Sequence, residues 1–340
     1  MALTYITNGT VKVGVDPTKG CTIYSVQDVA TGIEMVCPNS EGILATYTGD
    51  LGLANDSEYW NANGNIWAPS QTGYFPGGYF SPVRSGLTIT GEGSDGACLY
   101  AKMDLQDWPN NLAASPYFLS DPTTYGPTLD GLYLEMWITL NGPLIQIRYK
   151  ASEYMGVDRG QNAGASGNEA TPGSNLWGQA NPCAYFDGQF SNVHSYKGSN
   201  PWAMDATTQE TSEFLSVGGV IFPTEKWVAN INSSGFGIGL YSPDSDAGSF
   251  VSAQPSYEAG AMFNVTFVGF NFTPYAVCDQ TVTLTIGDLS NIRSRFYTLA
   301  GHTLSNNPLA PAVRIGPLQS GKTGVKIGKL PAGATGVRIR

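Results

Sequence analysis

Carboxylates and flat aromatic rings, set among Asn, Gln and Asp, are the side chains of this sequence whose types and spacing point to chemistry. Glu225 stands just before an apolar, β-rich run and two residues from Trp227. Asp205, Glu210 and Glu213 follow Trp202 in a polar stretch. Cleaving a glycosidic bond takes two carboxyls, one as acid and one as base or nucleophile. Glu225 facing Asp205, Glu210 or Glu135 across a cleft would supply such a pair. Sugar rings present apolar C–H faces, which flat rings can lie beneath while a few placed polar groups grip the hydroxyls. Trp60, Trp67, Trp202 and Trp227 sit in or beside loop-like segments of that mixed character. His194, close to Tyr196, adds a candidate proton-transfer group.

Each of these residues also has a plainer reading. Glu225 can form an ion pair with a Lys or Arg, or fix a loop by a hydrogen bond. The tryptophans can plug the ends of a β-sandwich core, and a lone His more often satisfies a structural need than a catalytic one. Glu135 lies on a strand where alternation puts it on one face with Tyr133 and Trp137, opposite Leu134, Met136 and Ile138. That face suits a sugar cleft or a solvated sheet, and Trp137 itself, mid-strand, reads as core. The glycan reading requires an open depression lined by rings with acidic side chains beside them. Rings scattered through a dry interior would remove it.

The elements that position these groups are strands. The 340 residues include 42 Gly and 21 Pro spread along the chain, with short apolar runs between them. Thr10–Asp16, Cys21–Val26, Ile43–Thr48, Leu87–Thr90 and Cys98–Met103 read as strands, as does the alternating Thr281–Ile286. Leu132–Leu140 and Leu144–Lys150 flank Asn141-Gly142-Pro143 and form the clearest hairpin. Lys226–Asn232 and Gly235–Tyr241 form another, in which Gly235-x-Gly237-x-Gly239 reads as close strand packing. Long polar or aromatic loops are expected at 51–82, 106–128 and 156–182, and no helix of any length is evident. The tail from Gly301 carries short β-like pieces at 313–315 and 325–327.

Charged residues make up 13% of the chain, against about 25% in ordinary globular proteins. Net charge is −10, from 17 basic and 27 acidic residues, with no long basic cluster. Nucleic acid and polyanionic glycans are therefore poor partners. No run of ~18 apolar residues spans a membrane. The five cysteines, Cys21, Cys37, Cys98, Cys183 and Cys278, lack zinc spacing and read as buried thiols, with one disulfide as the alternative. Asp187 and Asp244-Ser-Asp246 lack the spacing of a calcium loop, and the Gly-rich segments do not join a strand to a helix. No metal and no cofactor is expected.

Several segments together resemble bacterial carbohydrate-active proteins of the β-supersandwich, or galactose mutarotase-like, fold. They are the opening TNGTVKVGVDPTKGCTIYSV, Trp67-Ala-Pro-Ser-Gln71-x-Gly73 after Tyr47-x-Gly49, and Tyr196-x-Gly198-x-x-Pro201-Trp202 onward to Glu210. Thr224-Glu225-Lys226-Trp227 and Gly235-x-Gly237-x-Gly239-x-Tyr241-Ser-Pro243 complete the set. The resemblance implies a large antiparallel all-β sandwich over 1–298 with a C-terminal β extension over 299–340. It adds Tyr47 and Gln71 to the substrate-binding set of Trp60, Trp67, Trp202 and Trp227. Mutarotases use histidines plus a Glu around the sugar, and this chain has only His194 and His302, the latter in the Gly-rich tail.

The reading reached is a carbohydrate-active enzyme on a neutral oligo- or polysaccharide, a glycoside hydrolase with paired carboxylates. A lectin-like binding protein, a mutarotase or epimerase with His194 beside a carboxylate, and a structural or oligomer-forming β protein are the alternatives. The expected partner is a neutral glycan, and a homo-oligomer stays open. The composition suits a secreted or periplasmic protein whose leader is absent from this sequence, with the cytoplasm as the alternative.

Overall fold

The structure is a computed structural model of the chain. It describes residues 2–40, 42–46, 69–71, 86–107, 128–154, 180–196, 198–202, 209–210, 220–221, 223–243, 251–255, 261–267, 275 and 277–302. The chain divides into 1–303 and 304–340, and the second unit lies outside the described residues. So do the β-like pieces expected in the tail and most of the three long loops.

The described strands, numbered in chain order, form two antiparallel layers. In the first, neighbours run β1 (Thr4–Thr7), β2 (Val11–Asp16), β3 (Thr22–Asp28), β4 (Ile43–Thr46), β10 (Ala180–Asp187), β17 (Ala261–Phe267), β16 (Val251–Pro255) and β13 (Val220–Ile221). In the second they run β6 (Thr88–Thr90), β7 (Ala97–Asp107), β8 (Thr128–Asn141), β9 (Leu144–Glu153), β18 (Val277–Asp288), β15 (Phe236–Tyr241), β14 (Trp227–Ile231), β11 (Asn192–Ser195) and β12 (Gln209–Glu210). The short β5 (Pro69–Ser70) pairs with both β4 and β7 and links the layers.

One core lies between the layers. Val11, Val13, Val15 and Ile23 of the first meet Leu134, Met136, Ile138, Ile145, Ile147 and Leu284 of the second. Those residues alternate along their strands, as a sheet with one face on a core requires. The all-β sandwich expected from the sequence is the observed architecture. The hairpin β8–β9 turns at Gly142, whose φ of 53° suits a residue without a Cβ.

The sequence reading missed the helix α1 (Leu289–Leu299). Its polar, β-branched and aromatic residues make it a weak helix by propensity, and tertiary packing decides its state. Ile292 and Phe296, four residues apart, lie on one face and enter a second, smaller core with Trp227, Ala229 and Tyr241. That core sits on the side of the second layer away from the main one. Gly239 makes the approach feasible: a Cβ there would stand 2.4 Å from Ile292 and 2.8 Å from Phe296. The glycine run read as close strand packing thus also seats a helix.

Asp288 caps α1, its carboxylate accepting the backbone N–H of Asn291 at 2.8 Å. That bond, with lesser help from Ser290, holds the Asp288 carboxyl below its ordinary range. The stabilisation is therefore full above the ordinary Asp pKa and fades as pH falls through the depressed one. Asp288→Ala is expected to cost about 1 kcal/mol near neutrality. It should also flatten the acid limb of stability, as measured by urea unfolding at a series of pH values.

Candidate functional site

The outward face of the second layer carries rows of side chains set by strand register. One row runs Tyr100, Trp137, Arg148 and Thr281 across β7, β8, β9 and β18. The next runs Lys102, Glu135, Lys150 and Asp279, and a third includes Asp104, Tyr133, Ser152 and Val277. Alternation explains the set: on β8, Leu134, Met136 and Ile138 point into the core, so Tyr133, Glu135 and Trp137 point out. Glu135 is thus on the face expected of it. Trp137, read as core, is half-buried on that same outward face, because its parity matches Glu135 rather than Met136.

The rows are chemically dense. The rings of Tyr100 and Trp137 lie 5.1 Å apart, and the Arg148 guanidinium lies 4.9 Å from the Trp137 ring centre. Tyr100 donates its phenol hydrogen to Glu135 Oε1 at 2.8 Å, and Lys150 Nζ stands 3.5 Å from Glu135 Oε2. Burial, and then the bond to Glu135, push the Tyr100 phenol up to about 12, so it remains a donor at neutral pH. Arg148 holds Asp279 through two nitrogens, keeping that carboxyl below its usual range. Lys102, Arg148 and Lys150 balance Asp104, Glu135 and Asp279, so the face carries no strong net field.

Glu225 belongs to a different structure. Its side chain is fully buried, and four donors surround it. The Trp202 backbone N–H and Arg293 Nη2 meet Oε1 at 2.6 Å each, while Trp227 Nε1 and Arg293 Nε meet Oε2 at 2.7 and 3.0 Å. The plainer reading, ion pair plus loop fixation, replaces the catalytic role expected of Glu225. Both oxygens are engaged and no solvent reaches them. Trp227 is likewise corrected: it is fully buried against Phe296 and plugs the smaller core rather than offering a face to a sugar. Gln71 is corrected too. It is buried, accepts the Ala45 N–H at 3.0 Å and donates to the Gly20 carbonyl at 2.8 Å, tying β4 to the turn before β3.

Trp202 remains half-buried, with φ of 64°, held by Glu225 and set edge-on to Tyr241 and Tyr297. His302, set aside in the sequence reading, lies 5.7 Å from the Trp202 ring centre. His194 pairs with Ala229 on one side and with Glu210 on the other, on the face where α1 packs. That register is what the structure gives for Glu210, whose side chain lies outside the described residues. Tyr47, Trp60, Trp67 and Asp205 lie wholly outside them. Cys21, Cys37 and Cys98 are free thiols. Among the described residues no group of three or more His, Cys, Asp and Glu is placed to hold a metal ion, and no helix is long and apolar enough to cross a membrane.

No protein-family profile matches the chain, and no curated protein does. Solved structures do align with it. A galactose mutarotase-like protein from Clostridium acetobutylicum aligns over 84% of this chain and 95% of its own, at 10% identity and a TM-score of 0.44. An α-mannosidase from Enterococcus faecalis aligns over 87% of this chain and 30% of its own, at 10% identity and a TM-score of 0.47.

Glu225→Gln leaves Arg293 partly buried without its counter-ion. A loss of about 3 kcal/mol in unfolding free energy is expected, as for other broken buried pairs. Chemical denaturation tests it. A variant with unchanged stability but no activity on a glycan would restore Glu225 to the catalytic set.

Proposed function

We propose that this chain is a carbohydrate-active protein that takes a neutral glycan on the outward face of β7, β8, β9 and β18. The observation that carries this is one cross-strand arrangement: the Tyr100–Trp137 ring pair stands beside Glu135, whose carboxylate accepts the Tyr100 phenol. Partly exposed rings suit the C–H faces of a sugar, and neighbouring charged groups suit its hydroxyls. The near balance of cations and carboxylates fits an uncharged ligand better than a uronate or sulfated one.

The catalytic form of this reading is glycoside hydrolysis. Glu135 is the proton-transferring carboxylate, and Asp279, two strands away, is the second. Two strand spacings separate their backbones by about 10 Å, nearer the wide carboxyl separation of inverting enzymes than the narrow one of retaining enzymes. In that scheme one carboxyl protonates the leaving oxygen while the other directs water to the opposite side of the ring. A lectin-like reading is favoured by a specific observation: Arg148 clamps Asp279, which opposes its acting as a base.

Incubation with a panel of neutral oligosaccharides, with products followed by NMR, separates hydrolysis, epimerisation and binding without change. Trp137→Ala is expected to weaken glycan binding by about tenfold or more, roughly 1.4 kcal/mol. Glu135→Gln is expected to leave binding intact while lowering turnover by about a hundredfold or more. Unchanged binding in the first variant sinks the location of the site. Full turnover in the second removes Glu135 from the chemistry.

A further inference from the structure

Three of the large apolar residues most exposed among the described residues gather at one end of the proposed glycan face. Tyr154 is 43% exposed, Val277 56% and Tyr275 70%. Nearness along the chain to the last paired residues explains the grouping. Val277 pairs with Ser152, Tyr154 lies two residues beyond Ser152, and Tyr275 lies two residues before Val277. Tyr133, paired with Ser152 from the other side, brings its ring within 5.4 Å of Tyr154. Lys102 Nζ sits 3.7 Å from the Tyr133 ring centre and braces that ring. The backbone at Tyr275 has φ of 62°, a conformation that non-glycine residues rarely adopt and that needs surrounding support.

This ring cluster continues the site already proposed. Along β8 the order is Tyr133, Glu135, Trp137, all on one face, so the two ring groups stand roughly 14 Å apart on either side of Glu135. The charged row between the two groups carries alternating signs.

We infer that Tyr133 and Tyr154 form a second ring platform of the same face, and that the ligand is an extended oligosaccharide lying along β8. One sugar rests at Tyr100–Trp137, another further along the same oligosaccharide at Tyr133–Tyr154, and the sugars between them pass over Glu135. This rests on the reading of the Tyr100–Trp137–Glu135 face as a glycan site. It excludes a free monosaccharide as the preferred ligand, because such a ligand can engage only one platform.

The test uses the full chain and ladders of neutral oligosaccharides from monosaccharide to hexasaccharide, with affinities measured by calorimetry. Tyr154 is exposed, so Tyr154→Ala should leave the fold intact, which circular dichroism checks. The wild type should bind longer members at least about tenfold more tightly than the monosaccharide. Tyr154→Ala should erase most of that gain without changing monosaccharide affinity, whereas Trp137→Ala should weaken both. Wild-type affinity for the long members in Tyr154→Ala, while Trp137→Ala still loses binding, overturns the second platform and leaves the first standing. Equal loss for short and long ligands in Tyr154→Ala also overturns it. A wild type that binds no member of any ladder overturns the underlying glycan reading, and this inference with it.

Discussion

The two-residue alternation of β8 and β9, locked in register with β7 and β18, is the constraint from which both the core and the candidate site follow. Leu134, Met136, Ile138, Ile145 and Ile147 must point inward to fill the space between the layers. Their intervening neighbours, Tyr133, Glu135, Trp137, Arg148 and Lys150, are then committed to the other side. No separate device is needed to gather a phenol, an indole, a carboxylate and two cations on one surface. Main-chain hydrogen bonds fix the rows, and side-chain bonds such as Tyr100 to Glu135 only refine them.

On the same side of the second layer, a few strands away, Glu225 organises a different kind of order. One buried carboxylate holds the Trp202 amide, the Trp227 indole and the Arg293 guanidinium of α1. Burying such a pair costs solvation, which hydrogen bonds from every side offset. What this gains is specificity of position: a loop residue with positive φ, a strand tryptophan and a helix arginine are fixed relative to one another. The neighbouring segments lock in the same way, with Thr224 bonded to the carbonyls of Tyr196 and Gly198. Three of the sequence runs that carried the family resemblance, those around Trp202, Trp227 and Tyr241, are therefore parts of one packing knot.

That explains what was legible and what was not. Strand periodicity revealed the sandwich, the β8–β9 hairpin and the outward aim of Glu135. It was also enough to place Trp137 correctly, since 135 and 137 share parity; judging the residue by its type rather than its parity put it in the core. Asp279 and Tyr100 had no local signal. Each joins the site only through pairing across strands, and Asp279 comes from a strand more than a hundred residues away from β9. Glu225 attracted notice by sitting beside Trp227 in a distinctive run, yet a distinctive run records packing demands as readily as catalytic ones. Helix α1 was hidden because Gly239, on another strand, creates the seat that stabilises it.

The assembly of the face from separate chain segments also bears on how it can change over evolutionary time. The hairpin supplies the Trp137 and Arg148 columns together, while β7 and β18 contribute one outer column each. An outward side chain on β18 can be exchanged without disturbing the inward residues that hold the strand in place. Ligand preference can therefore drift column by column on an unchanged scaffold, whereas a single-residue insertion within the hairpin would invert core and surface at once.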